Sequence, residues 1–494
     1  MKHGSPRRWA FASLALAALI VSATPALAQA APDAPAAVQA RRLVEAFVSG
    51  DEAGFLRFVH AAYPGANRAD AEWLQQRGAL HAIQLHAITT DAPTHSDAIV
   101  FVPGRGDWLK LSLTVEAQAP YAITGFEVHL TRRPADVSGP PKLPPAEMAR
   151  AVQTLAQAET DADRFSGAVL IAKDGKPFYS QAFGMADIAA RKPNTLKTRF
   201  RFGSMGKMFT EVAIMQLAQA GKLDLKAPIG RYLPDYPNPE VARTVTIDEL
   251  MTHSSGLGDV FNARFDAHQG ELRDPKDYVA LFGPDPPLFP PGTRQAYSNY
   301  GFMVLGRIIE AASGQTWDDY LQAHIFGPAG MTGSGDRPDS SPVPNRAIGY
   351  WAVNGGPQVV TPKATARLRG TPARPPGGDG YITYRGTPGG GGYSTVGDML
   401  RFADALIGNR LLDAEHTRLL TAGTTILPSG KSTGYDFSTP TQEGRRYLGH
   451  EGAAAGQSGS LRIFAPEHYI IVVLANRDSP AAQTIATFVS ERAP

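Results

Sequence analysis

The chain has 494 residues, more than one ordinary domain of about 100 to 200 residues holds, so two or three folded units are expected. A hydrophobic content of 43% with 19% charged residues supplies a real core and excludes a disordered chain, while 50 glycines and 40 prolines promise many turns and long loops. Lysine plus arginine, 48, nearly balances aspartate plus glutamate, 46, with no basic block, which speaks against a nucleic-acid partner; the absence of cysteine excludes disulfides, thiolate metal sites and a cysteine nucleophile.

Lys2, Arg7 and Arg8 precede an apolar run from Trp9 to Val21 and the small-residue site Ala26-Leu27-Ala28. That order predicts a cleavable signal peptide over residues 1–28. The run is shorter than the roughly 20 residues that a bilayer span requires, so no membrane anchor is expected after cleavage. A periplasmic or secreted protein follows, with the Arg7-Arg8 pair leaving the general and twin-arginine export routes both open.

Leu43, Val44, Phe47 and Val48 share one helical face, Gly50 ends that helix, and Asp51 is placed to cap a second one bearing Phe55 and Val59. The period then drops to two. Ile83 and Leu85, then Leu109, Leu111, Leu113 and Val115, then Phe126, Val128 and Leu130 alternate with polar residues and predict a curved antiparallel sheet. Residues 35–133 read as a small α+β domain whose pattern resembles the cone of the nuclear transport factor type fold. A ligand pocket inside the cone is one reading of it. A packing or dimerisation module is the plainer one, because no cluster of catalytic residue types appears.

Residues 134–146 hold Pro140-Pro141 and Pro144-Pro145, which stiffen and extend a chain into a linker. Residues 147–494 open with a helix near Glu147 to Thr160 and two strands, Gly167 to Ala172 and Pro177 to Phe183, joined at the hairpin signal Asp174-Gly175. They end in strands around Ser460 to Phe464 and Tyr469 to Asn476 and a helix near Ala481 to Val489, which predicts one sheet closed by the two ends of the unit. Phe282 to Thr293 and Thr371 to Tyr393, the latter containing Gly389 to Gly392, read as long irregular stretches of the kind that shape sites.

Three segments carry chemistry. In Gly203-Ser204-Met205-Gly206-Lys207, Ser204 and Lys207 share one face of an apolar helix. Burial lowers a lysine's basicity into a useful range, and the helix N-terminus favours an alkoxide, so this is the arrangement of an activated serine. Ser-x-x-Lys alone is a weak pattern, but the apolar helix counts against a capping serine followed by a surface lysine. Tyr297-Ser298-Asn299 offers a phenol that can pass a proton and an amide that can orient a substrate or the lysine. His450-Glu451-Gly452-Ala453 precedes the terminal strands. A donor followed by glycine on an edge strand lets a substrate backbone approach, and the N–H of Ala453 can complete an oxyanion hole. Rivals fail on context. Tyr236 lies in a proline-rich turn, His268-Gln269-Gly270 leads into no strand, and the metalloprotease spacing after His450 meets Ala454, so neither a metal nor a cofactor is expected. His253 reads as a buried, hydrogen-bonded turn residue.

In this order the three segments resemble the serine β-lactamase and penicillin-binding-protein superfamily, whose pattern is Ser-x-x-Lys, Tyr-x-Asn, then Lys- or His-x-Gly. Phe165-Ser166-Gly167, Leu250 to Leu257, Gly330-Met331-Thr332 and Gly391-Gly392-Tyr393-Ser394-Thr395 are similar to the class C branch, and the likeness runs from Arg150 to the end. It implies an α/β fold, an antiparallel sheet flanked by helices beside an all-helical part, with the cleft between them. It further implies Ser204 as acylated nucleophile, Lys207 as base, Tyr297 as proton shuttle, and Asn299, His450, Gly452 and Ala453 as substrate-binding residues, the N–H groups of Ser204 and Ala453 forming the oxyanion hole. His450-Glu451-Gly452 stands where class C β-lactamases usually carry Lys-Thr-Gly. That departure is more similar to D-aminopeptidases and carboxypeptidase-like hydrolases and argues against efficient antibiotic hydrolysis. The expected function is hydrolysis of an amide or ester of a small molecule or peptide through an acyl-serine. The alternatives are a carboxylesterase, a weak β-lactamase, or a penicillin-binding sensor that acylates without turnover.

Overall fold

The computed structural model describes residues 34–494 apart from 50, 67–69, 81, 103–106, 132, 339–340, 354–355, 360–382, 423–424, 427–431, 436 and 441–445. The expected signal peptide and most of the stretch Thr371 to Tyr393 lie outside the described residues. Among those described, no helix is long and apolar enough to cross a membrane.

The N-terminal part holds α1 (Pro35–Val48), α2 (Glu52–Ala62) and α3 (Asp70–Leu80), followed by β1 (Gln84–Ala92), β2 (His95–Val102), β3 (Asp107–Val115) and β4 (Ile123–Leu130). The strands form an antiparallel sheet in sequence order. Asp51 caps α2 as its position suggests, its side chain accepting from the N–H of Gly54 at 2.6 Å. Strand β2 was not foreseen. Its run Ala98-Ile99-Val100-Phe101-Val102 is continuously apolar: Ala98, Val100 and Val102 are buried inward, while Phe101 meets Trp108 across the other face at 5.1 Å. Alternation vanishes from the sequence when both faces of a strand carry apolar residues, here one face buried and the other half-buried. Inside this unit, Phe47, Phe55, Trp73 and Phe126 pack ring to ring at 5.2 to 6.5 Å, and the hollow bounded by Leu43, Phe58, Tyr63 and Phe126 has a volume of about 0 Å³.

After the linker come α4 (Pro145–Asp161), β5 (Gly167–Lys173) and β6 (Lys176–Phe183). Asp174 and Gly175 take φ values of 52 and 70, the left-handed pair that a tight hairpin requires. A seven-stranded sheet runs in the order Ser438–Pro440, Arg446–Leu448, Gln457–Phe464, Tyr469–Ala475, β5, β6, with the edge strand Glu451–Ala454 paired to Gln457–Phe464. The two ends of the unit therefore meet in its middle, where Tyr469–Ala475 pairs antiparallel with β5 from Tyr469↔Lys173 to Ala475↔Gly167.

The residues of Tyr469–Ala475 are all buried, and they divide by parity. Ile470, Val472 and Leu474 join the large core with the helical part, whereas Tyr469, Ile471, Val473 and Ala475 join a second core with α4 and the C-terminal helix Ala481–Arg492. A sheet covered on both faces explains why this segment reads as one apolar run. The linker is tied to the outer layer: Arg133 pairs with Glu491 at 3.0 Å, and the N–H of Leu143 donates to the carbonyl of Arg492 at 2.9 Å. A chain beginning at Ser138 keeps the Leu143 bond and loses the Arg133–Glu491 ion pair, worth about 1 kcal/mol. It should fold cooperatively with a melting temperature within about 3 °C of the transition that residues 147–494 show in the full chain. An insoluble product or a drop of tens of degrees in thermal unfolding would show instead that the two units share a core.

Candidate active site

The site is built around the start of α5 (Lys207–Gln219), which a short turn, Gly203–Gly206, joins to the strand Phe200–Arg201. Helix α5 is apolar almost all round, with Met208, Phe209, Val212, Ala213, Ile214 and Met215 buried, so its first residue is carried into the core. Phe209 anchors it by edge contacts to Phe402 and Phe326 at 4.8 and 5.1 Å. Lys207 is fully buried, and Ser204 on the turn before it is half-buried at the cleft.

Two backbones close on this turn, each where a side chain would be in the way. A Cβ on Gly452 would lie 1.8 Å from the Phe202 carbonyl oxygen, and one on Gly390, whose φ is 134, would lie 2.4 Å from the carbonyl oxygen of Gly203. Gly203 itself has φ 56 and approaches the Ala453 nitrogen, and the N–H of Gly391 donates to its carbonyl at 3.1 Å. The glycine of the His450-Glu451-Gly452 motif is thus explained by the nucleophile turn, not by an approaching substrate. Hydrogen-bonded and non-bonded pairs alternate along an antiparallel ladder. Since Leu461 donates to the carbonyl of His450, the pairs at Gly452 and Ala454 are the bonded ones, and the N–H of Ala453 faces outward from the strand.

Lys207 Nζ donates to Asn299 Oδ1 at 2.7 Å and to the Gly389 carbonyl at 2.6 Å, and lies 4.7 Å from the ring centre of Tyr297 and 5.2 Å from that of Phe302. Asn299 starts the helix Asn299–Ser313, capped by Ser298, whose Oγ accepts from the N–H of Gly301. Asp259 was not anticipated. Its two carboxylate oxygens accept from the backbone N–H and from Nδ2 of Asn299, both at 3.1 Å, which forces the amide oxygen toward Lys207. His253 is buried and hydrogen-bonded as expected: Nδ1 accepts from the N–H of Ser298 at 3.1 Å, placing any ring proton of the neutral form on Nε2. It has a use as well, since its ring lies 4.4 Å from Tyr297 and supports that otherwise exposed phenol.

The segment Thr383 to Gly391 borders the cleft and is tethered from behind. Arg385 pairs with Asp318 at 2.6 Å and Asp336 at 2.7 Å, with Asp274 at 3.5 Å, and burial pushes the Asp336 carboxyl up to about 6 against the pull of Arg385. Thr387 and Gly390 exchange backbone bonds at 2.8 and 2.9 Å, which fixes the carbonyl offered to Lys207.

Ser204, Tyr297, Asn299 and Ala453 line one cleft of about 170 Å³, together with Arg201, Phe261 and Met303. His450 and Gly452 are not among its described lining: His450 Nδ1 is engaged by the carbonyl of Glu451, whose carboxylate pairs with Arg462. Tyr236 lies in the core with its hydroxyl 2.8 Å from that of Tyr300, as its turn context suggests. Among the described residues, no group of three or more His, Asp or Glu is arranged to hold a metal. Replacing Asp259 by Asn gives Asn299 a donor where it needs an acceptor, so its amide is free to flip and withdraw from Lys207. A hydrogen bond to a charged group is worth about 1.5–3 kcal/mol, so D259N should lower kcat roughly tenfold to a hundredfold with KM changed much less. Unchanged kcat in steady-state kinetics would remove Asp259 from the site.

A protein-family model described as Beta-lactamase matches residues 149–492. A penicillin-binding protein of Bacillus subtilis (strain 168) is 27% identical over 339 residues, covering 66% of this chain and 71% of that protein. Penicillin-binding protein 4 of Amycolatopsis lactamdurans is 30% identical over 299 residues, 57% of this chain and 73% of that one. The crystal structure of a penicillin binding protein from Bacillus halodurans superimposes with a TM-score of 0.57 at 29% identity, covering 68% of this chain and 98% of its own. With the family model running from α4 to the C-terminal helix, over the sheet, α5 and the cleft, the chain belongs to the β-lactamase family of serine hydrolases, alongside the penicillin-binding proteins.

Proposed function

We propose that this protein is an exported, metal-independent hydrolase that cleaves an amide or ester, of the D-amino-acid peptide, amide or ester type, through an acyl-enzyme on Ser204. The observation that carries this reading is the pair of bonds from Lys207 Nζ to Asn299 Oδ1 and the Gly389 carbonyl. Those bonds use N–H groups that a neutral amine retains, and its lone pair is then the acceptor for the Ser204 proton. A lysine base reacts as the free amine, and the two acceptors hold the fully buried Lys207 side chain in one position for that role.

The steps balance without a further reactant except water. Ser204 Oγ bonds to the carbonyl carbon as its proton passes to Lys207, and the oxyanion accepts from the N–H groups of Ser204 and Ala453. The bond to the leaving group breaks, and the leaving nitrogen or oxygen takes a proton by way of the Tyr297 hydroxyl. Water then adds to the acyl carbon, gives up a proton to the same groups, and releases the acid as Ser204 regains its hydrogen. His450 and Gly452 enter as the residues that set the edge strand beside the substrate. The penicillin-binding proteins among its relatives support a peptide-like acyl donor over a simple ester, and the N-terminal segment Lys2 to Ala28 supports a periplasmic or secreted location.

Turnover of a p-nitrophenyl ester and labelling by a fluorescent penicillin test the assignment together. Ser204→Ala should abolish both, and Lys207→Met should lower the ester rate by about 10³-fold, with chelators without effect. A stable penicillin adduct with no ester turnover in the wild type would identify a sensor. Full ester activity in Ser204→Ala would remove Ser204 as the nucleophile.

A further inference from the structure

Helix α5 carries a second polar side chain on the face that bears Lys207. Thr210 stands three residues further on, about one turn along the helix, and is fully buried. Its Oγ1 donates to the Pro388 carbonyl at 2.9 Å, while Lys207 Nζ donates to the carbonyl of the next residue, Gly389, at 2.6 Å. Two consecutive carbonyls of one segment thus take their donors from one face of one helix. Pro388 and Gly389 form the corner of the turn that Thr387 and Gly390 close, and both are buried. Proline at the first corner position is pre-set for such a turn. From the other side, the helix Asn299–Ser313 presses on the same proline at Gly306, where an added Cβ would lie 2.3 Å from Pro388 Cγ.

The hydroxyl of Thr210 is itself held. Trp317 Nε1 donates to its oxygen at 3.2 Å, and an indole N–H can only donate, so the single proton of Thr210 goes to the Pro388 carbonyl. Trp317 opens the helix Trp317–Leu321, and the next residue, Asp318, pairs with Arg385 of the same segment at 2.6 Å. That helix therefore holds the segment at two points, one of them through Thr210. The groups concerned are buried, so water does not readily replace a lost bond and a change at Thr210 passes to the turn. We propose that Thr210 is a positioning residue for the catalytic amine: its hydroxyl, oriented by Trp317, fixes the Pro388-Gly389 turn and so sets the Gly389 carbonyl where Lys207 Nζ meets it. The inference rests on Lys207 acting as the base for Ser204, and it assigns a role to a group that acts through the turn and not on the substrate.

Steady-state hydrolysis of a p-nitrophenyl ester by the full chain tests it, with thermal unfolding of each variant to show that it is folded at the assay temperature. Thr210→Val keeps the shape of the side chain and removes its proton. It should lower kcat about tenfold to a hundredfold with KM changed less than about threefold. Thr210→Ser keeps the hydroxyl and gives up the methyl group, and its kcat should stay within about threefold of the wild type. Trp317→Phe should lower kcat at least about threefold in the wild-type chain and no further in the Thr210→Val chain, because the two groups act in series. A wild-type kcat in Thr210→Val overturns the proposal, and so does a loss that appears in KM instead. An equal loss in Thr210→Ser overturns it too, by showing that packing alone is at work. Should Thr210→Val not fold, Trp317→Phe and Thr210→Ser decide: a wild-type kcat in the first or a tenfold loss in the second, each about as stated, overturns the assignment. Failure of the acyl-serine reading is separate and would appear as full ester activity in Ser204→Ala or in Lys207→Met.

Discussion

Between Phe202 and Lys207 the chain is held on both sides by backbone rather than by side chains. The edge strand touches it through Gly452 against the Phe202 carbonyl, and the glycine run touches it through Gly390 and Gly391 against the Gly203 carbonyl. Contacts of this kind have little freedom to slide, because the approaching groups are rigid and any added Cβ would collide. Three elements far apart in sequence are thereby brought to fixed distances: the half-buried hydroxyl of Ser204, the outward N–H of Ala453, and the carbonyl of Gly389 that receives Lys207. Preorganisation of donors and acceptors is what lets a site stabilise developing charge without rearranging first. Glycine makes this possible at a cost in chain entropy, and the dense packing of α5 and the two-sided sheet supplies the compensating burial.

The second demand is polar. A lysine with no exposed surface must have its N–H groups met, and here the satisfaction is passed outward in steps, from Lys207 to Asn299 and from Asn299 to Asp259. Each step removes an ambiguity. Asp259 decides which way the Asn299 amide points, and the amide decides where Nζ sits. The other acceptor, Gly389, depends on a segment whose own tether is Arg385 among three aspartates, so the lysine is oriented from two directions, by Asp259 through Asn299 and by Arg385 through that segment.

What was legible in the sequence follows from this division. Ser204 and Lys207 announce themselves because helical period and apolar neighbours are local properties, and Tyr297 and Asn299 because a phenol and an amide two residues apart form a short pattern. The hairpin at Asp174-Gly175 and the terminal strand at Tyr469 to Ala475 are likewise carried by short stretches, while the division of that strand between two cores is not, because it is apolar at every position. Asp259 could not be found this way. It is one aspartate in a loop 40 residues before its partner, and only the folded chain brings the two together. Gly452 was noticed for a reason that the packing replaces, since a glycine in a motif looks the same whether it admits a substrate or a carbonyl. Strand β2 was lost because its run is apolar on both faces although only one of them is fully buried, and a run of apolar residues carries no period.

The place where the small N-terminal unit joins the rest also has a physical consequence. Its linker is bonded to the end of the C-terminal helix, and that helix packs on the core that lies behind the sheet. Lys207, Asn299, Phe302 and the glycine run belong instead to the other layer, where α5 and its neighbours meet the opposite sheet face. The contacts of the linker thus fall on residues that carry none of the hydrogen bonds described around Lys207. The attachment of the small unit and the hydrogen bonds around Lys207 are thus kept on opposite faces of one sheet, so that a change in the linker reaches the cleft only through the packing of that sheet.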